Sequence, residues 1–231
     1  MTSSAERVPL GLRLRRGFTR RAARLLYLIL GRVDIRGLEN IPRGTAYIAA
    51  INHTSIFDAP LMLAFWPESI AAIGAADVFD KPVQGQIVSL YGATPVHRGS
   101  YDRALIDDML ATLRSGIALL IAPEGGRSHR PAMRRAKPGI AYIVEETGVP
   151  IVPVGIHGAS DDFLKRGLRF ERPHIGMRVG KPFHLPPLEG RGVARRESRQ
   201  HNADLVMRRI AELLPPEYHG VYAAEGALDT S

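Results

Sequence analysis

A histidine and an aspartate five positions apart, His53 and Asp58, are the residues of this chain best suited to chemistry. A carboxylate that hydrogen-bonds one nitrogen of an imidazole fixes its tautomer and leaves the other nitrogen free to take a proton from a hydroxyl. Side chains at this spacing lie on different sides of a continuous helix, so the two can meet only if the chain turns between them. The pair therefore predicts half of a general-base site, held at a turn.

The residues on either side of the pair predict such a turn. Residues 46–51 form an apolar run of strand length, and residues 59–66 are typical of an apolar helix. Two other interpretations stay open at this point. Asp58 can cap the helix, because Ser55 and Asp58 have the spacing of a capping box. His53 can be a hydrogen-bonded histidine at the edge of the core.

A second cluster of candidate residues follows another apolar segment, residues 117–122. The cluster is Glu124, Gly125, Gly126 and Arg127. Glycines let the backbone approach a ligand and present N–H groups to an anion, and an arginine supplies a forked donor that suits phosphate. Taken alone, the stretch is equally typical of a solvated basic loop.

The composition limits the classes of protein and of mechanism. A chain of 231 residues with 45% hydrophobic and 23% charged residues is expected to form one globular domain. It has no cysteine, which excludes a disulfide framework and a thiolate nucleophile. No Gly-x-Ser-x-Gly motif is present either, so the sequence offers no obvious nucleophilic serine.

Positive charge is concentrated at the start of the chain. The first 36 residues hold nine arginines and two acidic residues, so almost all of the net charge of +8 lies there. On a helical wheel, apolar and basic side chains separate as in a helix that lies in a bilayer interface. The apolar side holds Leu14, Phe18, Leu25 and Ile29, and the opposite side holds Arg13, Arg16, Arg20 and Arg24. A helix that simply packs on its own domain is the open alternative.

Strand-like and helix-like segments alternate along the rest of the chain. This pattern predicts a single α/β layered domain, with a largely parallel mixed central sheet flanked by helices and preceded by the amphipathic helix. The expected divisions are a basic membrane-associating segment (1–32), the main domain (33–214) and a weakly ordered tail (215–231). Prolines within residues 149–154 favour a position at a sheet edge or in a cavity wall for that strand.

Four short blocks, in this order along the chain, together resemble the motif blocks of the glycerolipid acyltransferase family, of the 1-acyl-glycerol-3-phosphate acyltransferase type. The resemblance runs from about residue 33 to residue 185. The blocks are His53 with Asp58, Gly92 with Arg98, residues 123–127, and residues 149–154.

The resemblance implies a role for each candidate residue. His53 would be the general base and Asp58 would orient it, Arg98 and Arg127 would hold the phosphate of the acceptor, and Glu124, Gly125 and Gly126 would shape the acceptor site. The acyl donor would be a thioester of coenzyme A or of acyl carrier protein, with no cofactor and no metal. Gly126 replaces the usual threonine of the third block, and Pro95 departs from the second; both changes bear on which acceptor is used.

The expected reaction is acyl transfer from the thioester to the hydroxyl of a lysophospholipid, without an acyl-enzyme. The product would be phosphatidic acid if the acceptor is 1-acyl-glycerol-3-phosphate. A different lipid alcohol as acceptor, such as a lyso-aminolipid, another lysophospholipid or a glycolipid, and a non-catalytic lipid-binding protein are the alternatives. We expect a peripheral or monotopic protein on the cytoplasmic face of an anionic membrane. A nearly neutral body with 6% aromatic residues argues against a nucleic-acid partner.

Overall fold

The computed structural model describes residues 10–80, 84–96, 103–128 and 130–223. Within these ranges the chain forms seven strands and eight α-helices. The strands are β1 (Arg32–Arg36), β2 (Ile48–Ile51), β3 (Ala71–Ala75), β4 (Thr94–Val96), β5 (Leu119–Ile121), β6 (Ile151–His157) and β7 (His174–Val179). The helices are α1 (Leu10–Leu30), α2 (Asp58–Phe65), α3 (Ala76–Phe79), α4 (Gln84–Tyr91), α5 (Arg103–Arg114), α6 (Gly139–Thr147), α7 (Phe163–Leu168) and α8 (Val193–Ala211).

The seven strands form one mixed sheet in the order β1-β7-β6-β2-β5-β3-β4. The five strands from β6 to β4 are parallel to one another, whereas β7 runs antiparallel to β6 and pairs with β1 in parallel. Helices cover both faces of the sheet. One face is packed by α1, α2 and α7, and the other by α5, α6 and α8. The predicted α/β layered fold with a largely parallel mixed sheet is confirmed.

The expectation of an edge position for the proline-containing strand is wrong, because β6 lies between β2 and β7. Pro153 is tolerated in the interior because it sits where the pairing with β7 begins. Its carbonyl oxygen accepts the N–H of Gly180 at 2.9 Å, at the end of the ladder. The N–H that a proline lacks would point to the same side as this carbonyl, towards Gly180 beyond the end of β7, so its absence leaves the pairing of β6 with β2 intact.

Helix α1 packs on the body with its basic side inward. Arg16 is buried and donates to the carbonyls of Tyr91 and Gly92, and Arg20 donates to the carbonyl of Leu63 and to that of Trp66. These contacts satisfy backbone carbonyl groups at the ends of neighbouring helices. Arg16 and Arg20, two of the four arginines on this side of the wheel, therefore bind the protein rather than solvent.

The apolar side of α1 faces outward. Six large apolar side chains are exposed along it, and Phe18 retains 73% of its accessible surface. The six are Leu14, Phe18, Leu25, Leu26, Leu28 and Ile29. Exposed arginines flank this apolar side, namely Arg13, Arg15, Arg21 and Arg24. None of the described helices combines the length and apolarity needed to cross a bilayer.

The segment after α8 is ordered further than the sequence suggests. The expectation of a weakly ordered tail from residue 215 is wrong for residues 215–223, which form two short 3-10 turns against the body. The hydroxyl of Tyr218 accepts the N–H of Gly158, and the hydroxyl of Tyr222 donates to Asp204. These two tyrosines pin the segment, and the remaining residues of the expected tail, 224–231, lie outside the described part of the chain.

Candidate active site

The two candidate clusters lie side by side because their strands are neighbours. Strands β2 and β5 pair in parallel, so the turn after β2 and the loop after β5 leave the sheet at the same edge. The backbone joins them directly: the N–H of Ser128 donates to the carbonyl of His53 at 2.9 Å. The site therefore consists of two loops held together at the carboxyl edge of the sheet.

His53 and Asp58 meet across the turn. Nδ1 of His53 lies 3.2 Å from Oδ2 of Asp58. The same oxygen accepts the backbone N–H groups of Thr54 and Ser55, each at 2.7 Å. The side chain of Asp58 is completely buried, whereas 17% of that of His53 is exposed. No described residue hydrogen-bonds with Nε2 of the ring, which leaves that nitrogen free to act on a ligand.

Burial of the Asp58 carboxylate has a cost in folding free energy. Burial raises the pKa of its carboxyl group, and the opposing contributions of His53 and of the N–H groups of Ser55 and Thr54 reduce the shift without cancelling it. Its second oxygen, Oδ1, is buried and has no partner among the described residues. A carboxylate kept in such surroundings is typical of a functional site.

The capping interpretation of Asp58 also has a structural basis. Helix α2 begins at Asp58, and the bond from the N–H of Ser55 is one half of a capping box. One carboxylate thus holds the turn, starts the helix and contacts the ring. The two interpretations from sequence describe the same set of contacts.

Asn52 is a residue of the site that the sequence analysis missed. Its buried side-chain amide donates to the carbonyl of Ile156 at 2.8 Å and accepts the N–H of the same residue at 2.7 Å. This two-point bond ties the end of β2 to β6, directly before His53. An asparagine immediately after an apolar strand was the only signal available.

Glu124 joins the backbone of the two loops. It is buried, and Oε1 accepts the N–H of His53 while Oε2 accepts the N–H of Arg134, both at 2.8 Å. Burial raises the pKa of its carboxyl group, against the opposing effect of these two N–H donors. Its contact with the histidine is therefore to the backbone and not to the ring.

Gly125 is required by its backbone conformation. Its φ is +67°, which is in the left-handed region, and a Cβ there would lie 2.7 Å from the side chain of Lys137. The neighbouring Gly126 is buried. The loop thus turns back sharply and brings Arg127 to the rim of the site.

Arg127 is held by an acidic residue that the sequence analysis did not single out. Its Nη1 lies 2.7 Å from Oδ2 of Asp161. Oδ1 of Asp161 accepts the N–H of Ile56 within the histidine turn, residues 53–58. Partial burial alone would raise the pKa of Asp161, but the N–H of Ile56 and the charge of Arg127 lower it. Asp161 therefore links Arg127 to the loop that carries His53.

Arg98, the remaining candidate from the sequence, lies outside the described residues. In the ranges that the structure covers, no three histidine or acidic side chains are grouped as a metal site would require. The described candidate residues are thus brought together as two loops, with Asn52 and Asp161 as additional members.

The family model for acyltransferases matches residues 32–157, which is more than half of the chain and contains both loops. The chain belongs to the acyltransferase family. The resemblance seen in the four sequence blocks is thereby confirmed.

Similar acyltransferases come from plants, animals and bacteria. The chloroplastic 1-acyl-sn-glycerol-3-phosphate acyltransferase BAT2 of Brassica napus is 31% identical over 131 residues, which are 55% of this chain and 38% of that protein. The human 1-acyl-sn-glycerol-3-phosphate acyltransferase alpha is 26% identical over 170 residues, 72% of this chain and 58% of that protein. The chain thus spans less than two thirds of the length of these relatives.

A solved structure shows the same fold. The 1-acyl-sn-glycerophosphate (LPA) acyltransferase PlsC from Thermotoga maritima superposes with a TM-score of 0.60 at 24% identity, covering 87% of this chain and 79% of that one. The layered acyltransferase fold therefore extends well beyond the residues of the family model.

Proposed function

We propose that this acyltransferase moves a fatty acyl group from a thioester of coenzyme A or acyl carrier protein to the hydroxyl of 1-acyl-glycerol-3-phosphate, giving phosphatidic acid. One observation carries the proposal: a buried carboxylate engages Nδ1 of His53, while Nε2 of the partly exposed ring has no partner among the described residues. The similar plant and human proteins are 1-acyl-sn-glycerol-3-phosphate acyltransferases, which supports this choice of acceptor.

The reaction proceeds by direct transfer. Nε2 of His53 takes the proton of the acceptor hydroxyl as its oxygen attacks the thioester carbonyl carbon. The carbon–sulfur bond then breaks, and the leaving thiolate takes the proton back from the imidazolium. Asp58 stabilises the imidazolium between these steps, and a positioned base of this kind contributes about 10²- to 10⁴-fold in rate. The scheme needs no acyl-enzyme, metal or cofactor beyond the thioester co-substrate.

Arg127 is the proposed phosphate ligand on the described side of the acceptor site, with Arg98 as a second. Only Nη1 of its guanidinium is bound to Asp161. The other N–H donors remain for a phosphate group, which arginine binds in a forked geometry. Glu124, Gly125 and Gly126 then shape the acceptor site by setting the course of the loop.

The outward face of α1 supports a peripheral location at an anionic membrane, which we propose to be the cytoplasmic face. Apolar side chains flanked by arginines are typical of a helix in the plane of a bilayer interface. Such a helix would hold residues 33–214, the proposed acyltransferase domain, where a lysolipid can enter without leaving the membrane.

The test is to incubate the purified protein with oleoyl-coenzyme A and one acceptor at a time, and to identify the products by mass spectrometry. The acceptors are 1-acyl-glycerol-3-phosphate, a lysophosphatidylcholine, a lyso-aminolipid and a glycolipid. We expect phosphatidic acid from the first and release of one thiol for each product molecule. Another acceptor giving the major product would overturn the substrate, and no acyl transfer to any of them would overturn the reaction.

His53→Ala should abolish this transfer without loss of fold, as judged by circular dichroism. His201→Ala is the matched control, because His201 is exposed on α8 away from both loops. Full activity in His53→Ala would show that the ring is not the base.

A further inference from the structure

A second apolar surface is exposed next to α1. It lies on the α7 hairpin, which comprises α7 and the turn to β7, residues 163–172. Leu168 retains 65% of its surface and Phe170 retains 90%, and Leu164 is exposed as well. Large apolar side chains are seldom this exposed at three positions of one short segment, and exposed apolar patches mark interaction sites.

The backbone holds Phe170 outward. Its φ is +63°, a conformation that costs free energy in a residue other than glycine. No buried contact of its ring offsets this cost, since the ring is almost fully exposed. An aromatic side chain displayed in this way is accessible to a partner outside the chain.

The α7 hairpin is fixed to the end of α1. Phe163 stacks on Tyr27 with ring centroids 5.2 Å apart, and a Cβ on Gly167 would lie 2.6 Å from Leu30, so the helices are in close contact. Arg172 donates to the carbonyls of Leu28 and Gly31. The α7 hairpin is therefore packed beside the C-terminal end of α1, where Leu28 and Ile29 are the last exposed apolar residues of that helix.

The charge of the hairpin is suited to anionic lipid. Lys165, Arg166, Arg169 and Arg172 alternate with the exposed apolar residues, and the hairpin contains one acidic residue, Glu171. Arg166 is paired with Glu171 at 2.8 Å, which leaves three cations in excess. Apolar residues for the acyl boundary, bordered by cations for the headgroups, are the composition of an interfacial anchor.

We propose that the α7 hairpin is a second membrane-docking element, which inserts Phe170 and Leu168 into an anionic bilayer beside α1. The proposal rests on the proposed function in that α1 is taken to lie on the same surface. It also accounts for the position of the site. Phe163 packs on Phe57 of the histidine turn with centroids 5.3 Å apart, and Asp161, two residues before α7, holds Arg127. Docking of the hairpin thus brings the acceptor side of the site close to the lipid.

The full-length protein offers a direct test, because its single tryptophan, Trp66, is fully buried and serves as a constant background. Phe170→Trp introduces a fluorescent probe at the proposed insertion point. We expect its emission to shift to the blue when vesicles of phosphatidylcholine and phosphatidylglycerol (4:1) are added, and to be quenched by brominated acyl chains. Val193→Trp is the matched control, at an exposed valine that begins α8, and should show neither change.

A second pair of variants measures the contribution to binding. Phe170→Ser should weaken partitioning to these vesicles about tenfold in a flotation assay, since burial of an aromatic side chain contributes that much or more. Val193→Ser should leave it unchanged. Activity of Phe170→Ser towards a dispersed, short-chain acceptor should equal that of the unmodified protein.

The outcomes separate the two proposals. If the protein floats with vesicles but Phe170→Trp shows no shift and no quenching, the hairpin does not insert, and the proposed function stands. If emission shifts with protein concentration in the absence of lipid, the patch covers a second copy of the chain, and the membrane assignment of the hairpin is wrong. Failure of acyl transfer to the dispersed acceptor by the unmodified protein would overturn the proposed function alone.

Discussion

Asp58 and Glu124 are both buried carboxylates that receive two backbone N–H groups, yet they distribute them differently. Asp58 collects both on Oδ2, the oxygen that also faces the ring of His53. Glu124 takes one N–H on each oxygen, from His53 and from Arg134. The first arrangement directs a charge at a side chain, and the second clamps two stretches of backbone together. Asp58 therefore orients the ring, whereas Glu124 holds the two loops together.

The amide analogues of the two residues should therefore behave in opposite ways. An asparagine at 58 can offer its one oxygen to both N–H groups and place its NH₂ where Oδ1 now has no partner. A glutamine at 124 has one oxygen for two donors on opposite sides, so its NH₂ must face an N–H group. A buried donor without an acceptor costs about 1–3 kcal/mol.

The largest effect is expected for Asp58→Asn. It should lower kcat about 10²-fold, because the amide keeps the turn but carries no charge to stabilise the imidazolium. Steady-state thiol release under saturating acceptor measures this. If kcat stayed the same while the protein lost stability, Asp58 would have a structural role and would not act on the ring.

The same variant should lack the pH dependence of stability that Asp58 contributes. Because burial raises the pKa of Asp58, the folded protein holds that proton more tightly than the unfolded chain does. The unmodified protein therefore loses stability as the pH rises from roughly 4, the ordinary carboxyl value, through the pKa of Asp58 in the fold. Urea unfolding of both proteins between pH 4 and pH 7 should show that the stability of Asp58→Asn rises relative to that of the unmodified protein as the pH increases.

An intermediate effect is expected for Arg127→Ala, on the loop that Glu124 holds. The apparent KM for 1-acyl-glycerol-3-phosphate should rise about 10-fold or more, since a hydrogen bond between charged groups contributes ~1.5–3 kcal/mol. The kcat should change less, because the histidine turn is intact. Arg196→Ala on the exposed side of α8 is the control, and an unchanged KM in Arg127→Ala would remove Arg127 from the phosphate site.

The smallest effect is expected for Glu124→Gln, and it should appear in stability. We expect the free energy of unfolding to fall by about 1–2 kcal/mol, for the donor mismatch described above. Urea unfolding at pH 7 measures it, and Glu39→Gln, at an exposed site, should stay within about 0.5 kcal/mol of the unmodified protein. If Glu124→Gln kept full stability but lost most of its kcat, Glu124 would serve the reaction and not the backbone of the two loops.

What the sequence could predict was local. The contact of His53 with Asp58 depends on a turn of six residues, and the strand before it and the helix after it were visible in the apolar pattern. The alternation of strands and helices was likewise sufficient for the layered fold.

What the sequence could not predict depends on contacts between distant segments. Asp161 meets Ile56 across 105 residues, and Asn52 meets Ile156 across 104. Neither has a pattern of its own, because Asp161 lies within a short polar stretch and Asn52 only follows an apolar strand. The interior place of β6 is of the same kind, since strand order is decided by the whole sheet. A helical wheel divides α1 into two sides, but it contains no information on which of them meets the protein.

Helix α1 has its apolar side outward and two arginines inward, and this orientation has a consequence for the solubility of the protein. The leucines, phenylalanine and isoleucine on its outer side make few contacts within the chain, so they are the positions to exchange for glutamine or serine. The inner arginines anchor the helix and must be kept. On the proposals above, a form of the enzyme that does not bind membranes needs replacements on this stripe and at the exposed residues of the α7 hairpin.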